Sequence, residues 1–492
     1  MPLKKITSFS YTLLFVVLIG TTALFTLFLS QFTTDATADT ITTARITTTP
    51  LSPTRFPITP VTTPVTTPVT TPSARPTNIP TMTPPPSADG TLDPTFGQNG
   101  RLITELGTDH DASNALAIQP DGKIVVAGSQ FNNNHGNITL ARYLPNGALD
   151  TNFGLNGLVI TDINNQHDQA HDLAILPNGH ILVAGATYNQ AANNYDFLIL
   201  QYQPDGTLDP TFGQNGYTLT DIDANYDLAT NITILPDDHF LVAGRNEQNG
   251  QADAVLARYL PNGTLDTNFG QNGFVITDFG GDFDTVNDLF YDPQTDLIWL
   301  AGSGHNGQTY DFAITRYLAN GQLDTSWAQN GLLLDNVANH HNFGQGIHLQ
   351  SDGKIIIMGY TQSLEQESAT TLVRYLPTGQ RDITFAQDGI ALFPVSLSDI
   401  PHAFTVQTDG KLLVAADTWN GRDVDLLIIR ILPDGRIDKT FGNNGIVTQD
   451  IDNFNNGASD IISHDQHLIV TGSVFRANVN EDIYLMRFLT SP

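Results

Sequence analysis

The chain has no cysteine, and it has few cations: 21 Lys and Arg stand against 50 Asp and Glu in 492 residues. The first absence excludes disulfides, thiolate chemistry and cysteine-ligated metals, and it leaves the redox compartment open. The second is sharper in the body of the chain. Five basic and two acidic residues precede Asp89, leaving 48 acidic and 16 basic residues from there on, a net of −32. Such a field repels phosphate backbones and anionic headgroups, which argues against nucleic acid as a partner. Helical periodicity is missing beyond Ala88. So are a His-Glu-x-x-His pair, a nucleophile elbow and a phosphate-cradling loop.

Long apolar runs are also scarce, with one exception. Residues Ile6 to Thr34 carry no charge, and the apolar core from Tyr11 to Leu29 follows Lys4 and Lys5. About 20 apolar residues span a bilayer, so residues 1–34 read as a single-pass transmembrane anchor with its basic end in the cytoplasm. Ala36-Thr37-Ala38 resembles a signal-peptidase site, which gives the alternative of a cleaved signal and a secreted protein. Residues 35–88 are rich in Thr and Pro, with Pro60, Pro64, Pro68 and Pro72 four apart. Such a segment buries no core and reads as an extended stalk, about 3.1 Å per residue. Both readings put residues 89–492 outside the cell.

What fills residues 89–492 is one stretch repeated seven times, first clean at Asn146 to Gly157. Its aromatic falls at Phe96, Phe153, Phe212, Phe269, Trp327, Phe385 and Phe441, giving spacings of 57, 59, 57, 58, 58 and 56 residues. Units therefore start near 89, 146, 205, 262, 320, 378 and 434. The Gly before each Leu-Asp pair (Gly147 in unit two) and the last Gly of the stretch (Gly157) suit turns with left-handed residues. The Gly after the aromatic becomes Ala328 and Ala386 in two units, which predicts an ordinary backbone angle there. The Asp of the pair, such as Asp150, suits a turn cap.

Each stretch is followed by four β-like runs. In unit two these are Gly157 to Asp162, Asp172 to Leu176, His180 to Gly185 and Asp196 to Tyr202. The last two are apolar almost throughout and should be buried on both faces. Four short antiparallel strands in each of seven units predict an all-β, seven-bladed β-propeller with one unit per blade. If units and blades are in step, the Gly100 to Glu105 and Asp482 to Phe488 strands lie in adjacent blades. A stagger of one strand puts them in the same blade.

The pattern Leu-Asp-x-x-Phe-Gly-x-x-Gly, then Gln-x-Asp-Gly-Lys-Ile-x-x-x-Gly, then Arg-Tyr, as at Leu149 to Gly157, Gln350 to Gly359 and Arg258 to Tyr259, resembles the delta-60 repeat β-propeller family. The resemblance covers all seven units and implies a bacterial exported propeller of no established activity. Unit six departs most, with Arg381 in the Leu position and Ala416 for the strand-end Gly, and unit seven carries Asp465-Gln466 in its hairpin.

A residue present in every blade serves what every blade needs. Arg142, Arg258, Arg316, Arg374, Arg430 and Arg487, with Gln201 in the remaining unit, end the fourth run and should pair with the Asp of the following stretch. A second recurrent carboxylate (Asp111, Asp168, Asp227, Asp284, Asp399, with Asn342 in unit five) suits a loop cap. The denser cluster of Asp282, Asp284 and Asp288 offers oxygen ligands to a hard cation such as Ca²⁺, though its spacing matches no EF-hand. His167 and His171, and His340, His341 and His348, read as loop and surface residues.

Counting strand direction puts the loops from run one to two and from run three to four on one face, and the repeated turns on the other. The loops of the first face differ in every unit and carry Phe131, Tyr188, Tyr226, His305, Trp419 and Phe475 beside Asn and Gln. Flat aromatics beside amides suit sugars or extended chains. The sequence thus predicts a binding module for an extracellular protein or glycan. The alternative is a secreted enzyme acting on a cell-surface polymer over the central channel.

Overall fold

The computed structural model describes residues 89–491 apart from 107–109, 133–134, 249, 282, 364, 366 and 477–480, so the anchor and stalk at 1–34 and 35–88 lie outside the described residues. No helix among the described residues is long and apolar enough to cross a membrane.

Seven four-stranded antiparallel sheets form the blades of a propeller. Blades 1 to 6 occupy residues 111–161, 168–220, 226–277, 285–335, 341–393 and 399–449, and in each the strand order follows the sequence from the inner edge outward. Blade 7 takes its three inner strands from 455–489 and its outer strand from Arg101–Thr104, which pairs with Glu481–Leu489. Repeat and blade are therefore offset by one strand: the first run of each unit is the outer strand of the preceding blade. The offset closes the ring with hydrogen bonds between the chain's first and last strands.

The nearly continuous apolar runs are the two middle strands of each blade, and they are buried on both faces as expected. The cores lie between blades. One of them joins Val125 and Leu140 of blade 1 to Leu173, Val183 and Leu198 of blade 2. Burial of this kind is worth about 25 cal/mol per Å² of apolar surface, so stacked neighbours hold each sheet in place.

The repeated stretches form a belt on one face. Six of the seven pass an N–H to the next, as Gly154 to Asp205 at 2.8 Å and Ala386 to Asp434 at 2.8 Å, and Gly442 to the Asp89 carbonyl joins the last stretch to the first. Every strand-end Arg meets the Asp foreseen from the sequence: Arg142 to Asp150 at 2.9 Å, Arg316 to Asp324 at 2.6 Å, and Arg487 to Asp93 at 2.7 Å across the closure. Gln201 donates to Asp209 at 2.9 Å in the unit that lacks Arg. The guanidinium also lies over the stretch's aromatic, 4.3 Å from the Phe153 ring centre for Arg142, and donates to a carbonyl of the next unit, Pro204.

Two departures from sequence expectation have physical causes. Ala328 and Ala386 are left-handed, both with φ 44°, as is Gly154 with φ 51°. At Ala386 the belt imposes the angle, because its N–H must reach Asp434 of the next stretch while the chain doubles back. Arg381 is half of a paired change. In blades 1 to 4 a Tyr hydroxyl meets a Thr of the adjacent blade's outer strand, as Tyr202 does Thr161 at 2.8 Å. Beside Arg381 that Thr is Asp335, which receives Tyr375 Oη at 2.7 Å and Arg381 Nε at 2.6 Å.

Candidate functional site

The loops that cross between blades and the loops between second and third strands emerge together on the face opposite the belt. Backbone bonds tie them in pairs: the Phe131 N–H donates to the His110 carbonyl at 2.8 Å and that of Tyr188 to His167 at 2.9 Å. This is the face the sequence singled out.

In the middle of the ring, all seven inner strands carry a β-bulge at the same place. A bulge re-aims a side chain, and the extra residue is polar every time: Asn114, His171, Thr230, Asn287, Gln345, His402 and Ser459. Four of them reach the next blade's inner strand in succession. Asn114 donates to the Ala170 carbonyl at 2.6 Å, His171 Nδ1 lies 2.6 Å from the Ala229 carbonyl, Thr230 donates to Val286 at 3.1 Å, and Asn287 to Gly344 at 2.7 Å. His171 is thus a buried member of the wall rather than a surface residue, and burial pushes its pKa down to about 4.

The residue after the bulge is acidic in three blades. Asp172, Asp288 and Asp460 each bind their own following N–H with Oδ1 and an N–H of the next blade with Oδ2, those of Ile232 at 2.8 Å, Ile347 at 2.7 Å and Leu116 at 2.8 Å. Their oxygens border a channel cavity of about 230 Å³, yet protein surrounds them, and desolvation raises their pKa values to about 7, 6 and 7. One oxygen of each thus holds the next blade, and the other braces its own strand at the bulge. Asp288 is accordingly far from the job expected of it beside Asp284, and Asp282 lies outside the described residues.

Asp284 is a cap. Its Oδ2 accepts the Phe279 N–H at 2.6 Å, as Asp168 accepts Ile163 at 2.6 Å and Asp227 accepts Ile222 at 2.7 Å. Burial raises all three carboxyls to about 7.

Toward the rim, aromatics from three blades meet. Phe131 lies 5.5 Å from His167, His167 6.0 Å from Tyr195, and Tyr195 5.3 Å from Tyr188 and 4.9 Å from Tyr226. A pocket of about 420 Å³ opens here, lined by His135, Asn165, Gln166, His167, Tyr188, Gln190 and Tyr195. Burial holds the His167 pKa below its ordinary value. Of the six residues nominated from the sequence, Phe131, Tyr188 and Tyr226 come together here. The others do not: His305 packs on Tyr310 at 4.9 Å, Phe475 is 6.4 Å from His110, and Trp419 is 40 % exposed on blade 6. His167 and Tyr195 escaped notice, His167 as one of several loop histidines and Tyr195 because it opens an apolar run.

A family model described as a domain of unknown function (DUF5122) β-propeller matches residues 119–153, 176–212, 235–269, 298–326, 350–385 and 407–441. Five of the six matches run from the tight turn through the third strand to the aromatic of the belt, and the one at 298–326 begins inside the second strand and stops one residue short of Trp327. The chain is a repeat-built β-propeller. The propeller's seventh repeat is split across the closure, where no continuous match can run. No curated protein matches the chain. Among solved structures the propeller is similar to virginiamycin B lyase from Staphylococcus aureus, at 13% identity over 78% of this chain and 98% of that one, with a TM-score of 0.39. It is also similar to polysaccharide lyase Uly1, at 9% identity over 79% and 91% with a TM-score of 0.43. A third likeness is to extracellular domains 1-2 of Drosophila Semaphorin 1b, at 11% identity over 81% and 87% with a TM-score of 0.42.

Proposed function

We propose that this propeller, of the delta-60 repeat kind, is an exported, membrane-anchored module that binds an extracellular glycan through the rim pocket of its variable face. The observation that carries the reading is the pocket's composition: rings of Tyr188 and Tyr195 beside Asn165, Gln166 and Gln190 in one concavity. Aromatic faces offer apolar area to a sugar's C–H side, and amides offer paired donors and acceptors to its hydroxyls. A concavity suits a small ligand, and this one sets its amides and imidazoles around two rings. The anchor and the Thr/Pro stalk supply reach from the membrane. Secretion after signal cleavage leaves the binding role unchanged.

The competing reading, an enzyme acting over the channel, would draw on Asp172, Asp288 and Asp460. Each of their oxygens already accepts a backbone N–H group, which gives these carboxylates a structural task in the channel wall and favours the binding reading.

A glycan array probed with the purified chain tests the proposal. Retention of a glycan class that Tyr195→Ala and Tyr188→Ala abolish, with melting temperature nearly unchanged, is the expected result. If no glycan is retained, or if binding is lost only through belt substitutions such as those around Phe153, the assignment fails.

A further inference from the structure

In each second strand the residue after the mid-strand Gly, or after Ala416 in blade 6, turns toward the next blade. Where it has an oxygen to offer, that oxygen can tie the two blades: Ser129 Oγ accepts the Ala170 N–H at 3.3 Å, Ser303 Oγ that of Gly344 at 3.1 Å, and Asp417 Oδ1 that of Ala458 at 2.8 Å. In blade 3 the position holds Arg245, which is all donor and no acceptor. It cannot make that bond, and no other blade carries a cation there.

Among the described residues every other Arg is hydrogen-bonded or ion-paired. Arg245 is neither, and its Nε is buried without a partner. Glu247, two residues on, forms no ion pair with it. Burial outweighs that charge and holds the Arg245 pKa below its ordinary value. The guanidinium carbon lies 5.5 Å from the centre of the Phe283 ring, at the entry to blade 4. Such a contact orients the group but satisfies none of its N–H bonds.

A second donor stands beside it in the same state. The register of blade 3 sets Tyr226 opposite Glu247 and Leu228 opposite Arg245, so Tyr226 and Arg245 share one face as diagonal neighbours, about 7–8 Å apart along the backbone. The Tyr226 hydroxyl is also buried without a partner, and burial raises its pKa, so it keeps its proton. Both residues remain partly exposed, so the pair is within reach of solvent. Two unmatched donors on one face lack the same thing, an acceptor. The Tyr226 ring lies 4.9 Å from that of Tyr195, which lines the rim pocket, so the pair adjoins that pocket.

We infer that Arg245 and Tyr226 form a subsite for an oxyanion on the sugar held in the rim pocket, the carboxylate of a uronic acid or a sulfate ester, an assignment that rests on the glycan reading above. The guanidinium offers a planar fork of N–H groups to two oxygens of such a group, and the phenol offers its O–H to one of them. The net charge of −32 in residues 89–492 repels a polyanion. That field is screened within about 8 Å at physiological ionic strength, so a single oxyanion answers to its immediate surroundings, where the Arg245 charge has no ion-pair partner. The subsite therefore selects a sugar with one acidic group over a neutral one.

The test is calorimetric titration of the full chain with methyl glucuronide, methyl glucoside and methyl glucoside 6-sulfate. At least one acidic probe should bind more tightly than the glucoside, and the one preferred tells carboxylate from sulfate. Arg245→Ser copies Ser129 and Ser303, so the ring already accepts it. It should weaken the acidic probe roughly ten- to hundredfold, the scale of hydrogen bonds to a charged group, and leave the glucoside unchanged. Tyr226→Phe and Arg245→Lys, which keeps the charge without the fork, should each weaken the acidic probe several-fold, and they decide the matter if Arg245→Ser lowers the melting temperature. The subsite is overturned if neither acidic probe outbinds the glucoside, or if these variants bind the acidic probe as the native chain does. Loss of the glucoside through Tyr195→Ala alone would then leave the rim pocket standing without it. Acidic binding that survives Tyr188→Ala and Tyr195→Ala but not Arg245→Ser would sink the rim pocket and keep the oxyanion subsite.

Discussion

The two faces of the ring are built from the same seven repeats and obey opposite rules. On the belt face every unit repeats the same Gly, Asp, aromatic and Arg, and the few exceptions are compensated: Gln201 still bonds Asp209, and Arg381 comes with Asp335. On the other face the same backbone positions carry Phe, Tyr, Glu, His, Gln, Trp and Phe in turn, from Phe131 to Phe475. Repetition therefore marks where one blade must hold the next, and variation marks where the blades are free to differ. The electrostatics divide in the same way. On the belt, burial pulls Asp382 upward, but hydrogen bonds from Thr384 and the charges of Arg374 and Lys354 outweigh it and hold its pKa near 2. On the variable face, burial dominates and lifts the caps Asp168, Asp227 and Asp284 to about 7.

The comparison breaks first at the belt. Arg142→Ala removes one partner of a buried pair and empties the space over Phe153, and should cost about 3 kcal/mol in a denaturant titration. Arg142→Gln, which copies Gln201 of unit two, should recover a good part of that. Equal losses for Ala and Gln would mean the Asp150 bond contributes little.

A smaller and opposite effect is expected from a cap. The folded pKa of Asp168 lies above its unfolded value of about 3.9, so the folded state binds the proton more tightly. The stability this contributes is full below pH 4 and is lost as pH rises through 7. Asp168→Asn, with the amide that Asn342 already shows is tolerated, should stabilise by on the order of 1 kcal/mol at pH 8 and be near neutral at pH 5. Belt carboxylates such as Asp382 run the other way, contributing above pH 4 and losing it as pH falls toward 2. Melting curves across pH 3 to 8 should therefore show a maximum between the two ranges, and a stability that climbs steadily to pH 8 would contradict the contrast.

The smallest change is at Ala386. Replacing a left-handed Ala by Gly relieves strain of about 1 kcal/mol and returns part of it as unfolded-state entropy, so Ala386→Gly should stabilise by about 0.5 kcal/mol. Destabilisation would mean that the Ala side chain packs usefully against Gly435.

How much of this was legible follows from the same contrast. The belt could be read because seven blades need the same turn, and a need repeated every 56 to 59 residues overrides composition. The Ala386 angle was misread because the residue type was taken to report the backbone, when the belt dictates it. The bulge ring left no periodic trace. A bulge breaks the alternation of an inner strand such as Asp168–Ile175, and its polar side chain changes identity from blade to blade. Only stacking the repeats shows a column of seven polar residues. The pocket was half legible, since loop order assigns a face but does not say which neighbouring loops lean together.

The strand Arg101–Thr104 has a consequence in time. Arg101 pairs with Met486, 385 positions later, so the first strand of the ring to be made waits for the last. Entropy charges little for that distance, because each doubling of a loop costs only about 0.6 kcal/mol. The wait itself is the cost: distant strand pairing is slow, and until it happens blade 7 lacks its outer strand and both edges stand open. A chain cut short before Glu481 would keep its open edges permanently, so the seam distinguishes finished copies from unfinished ones.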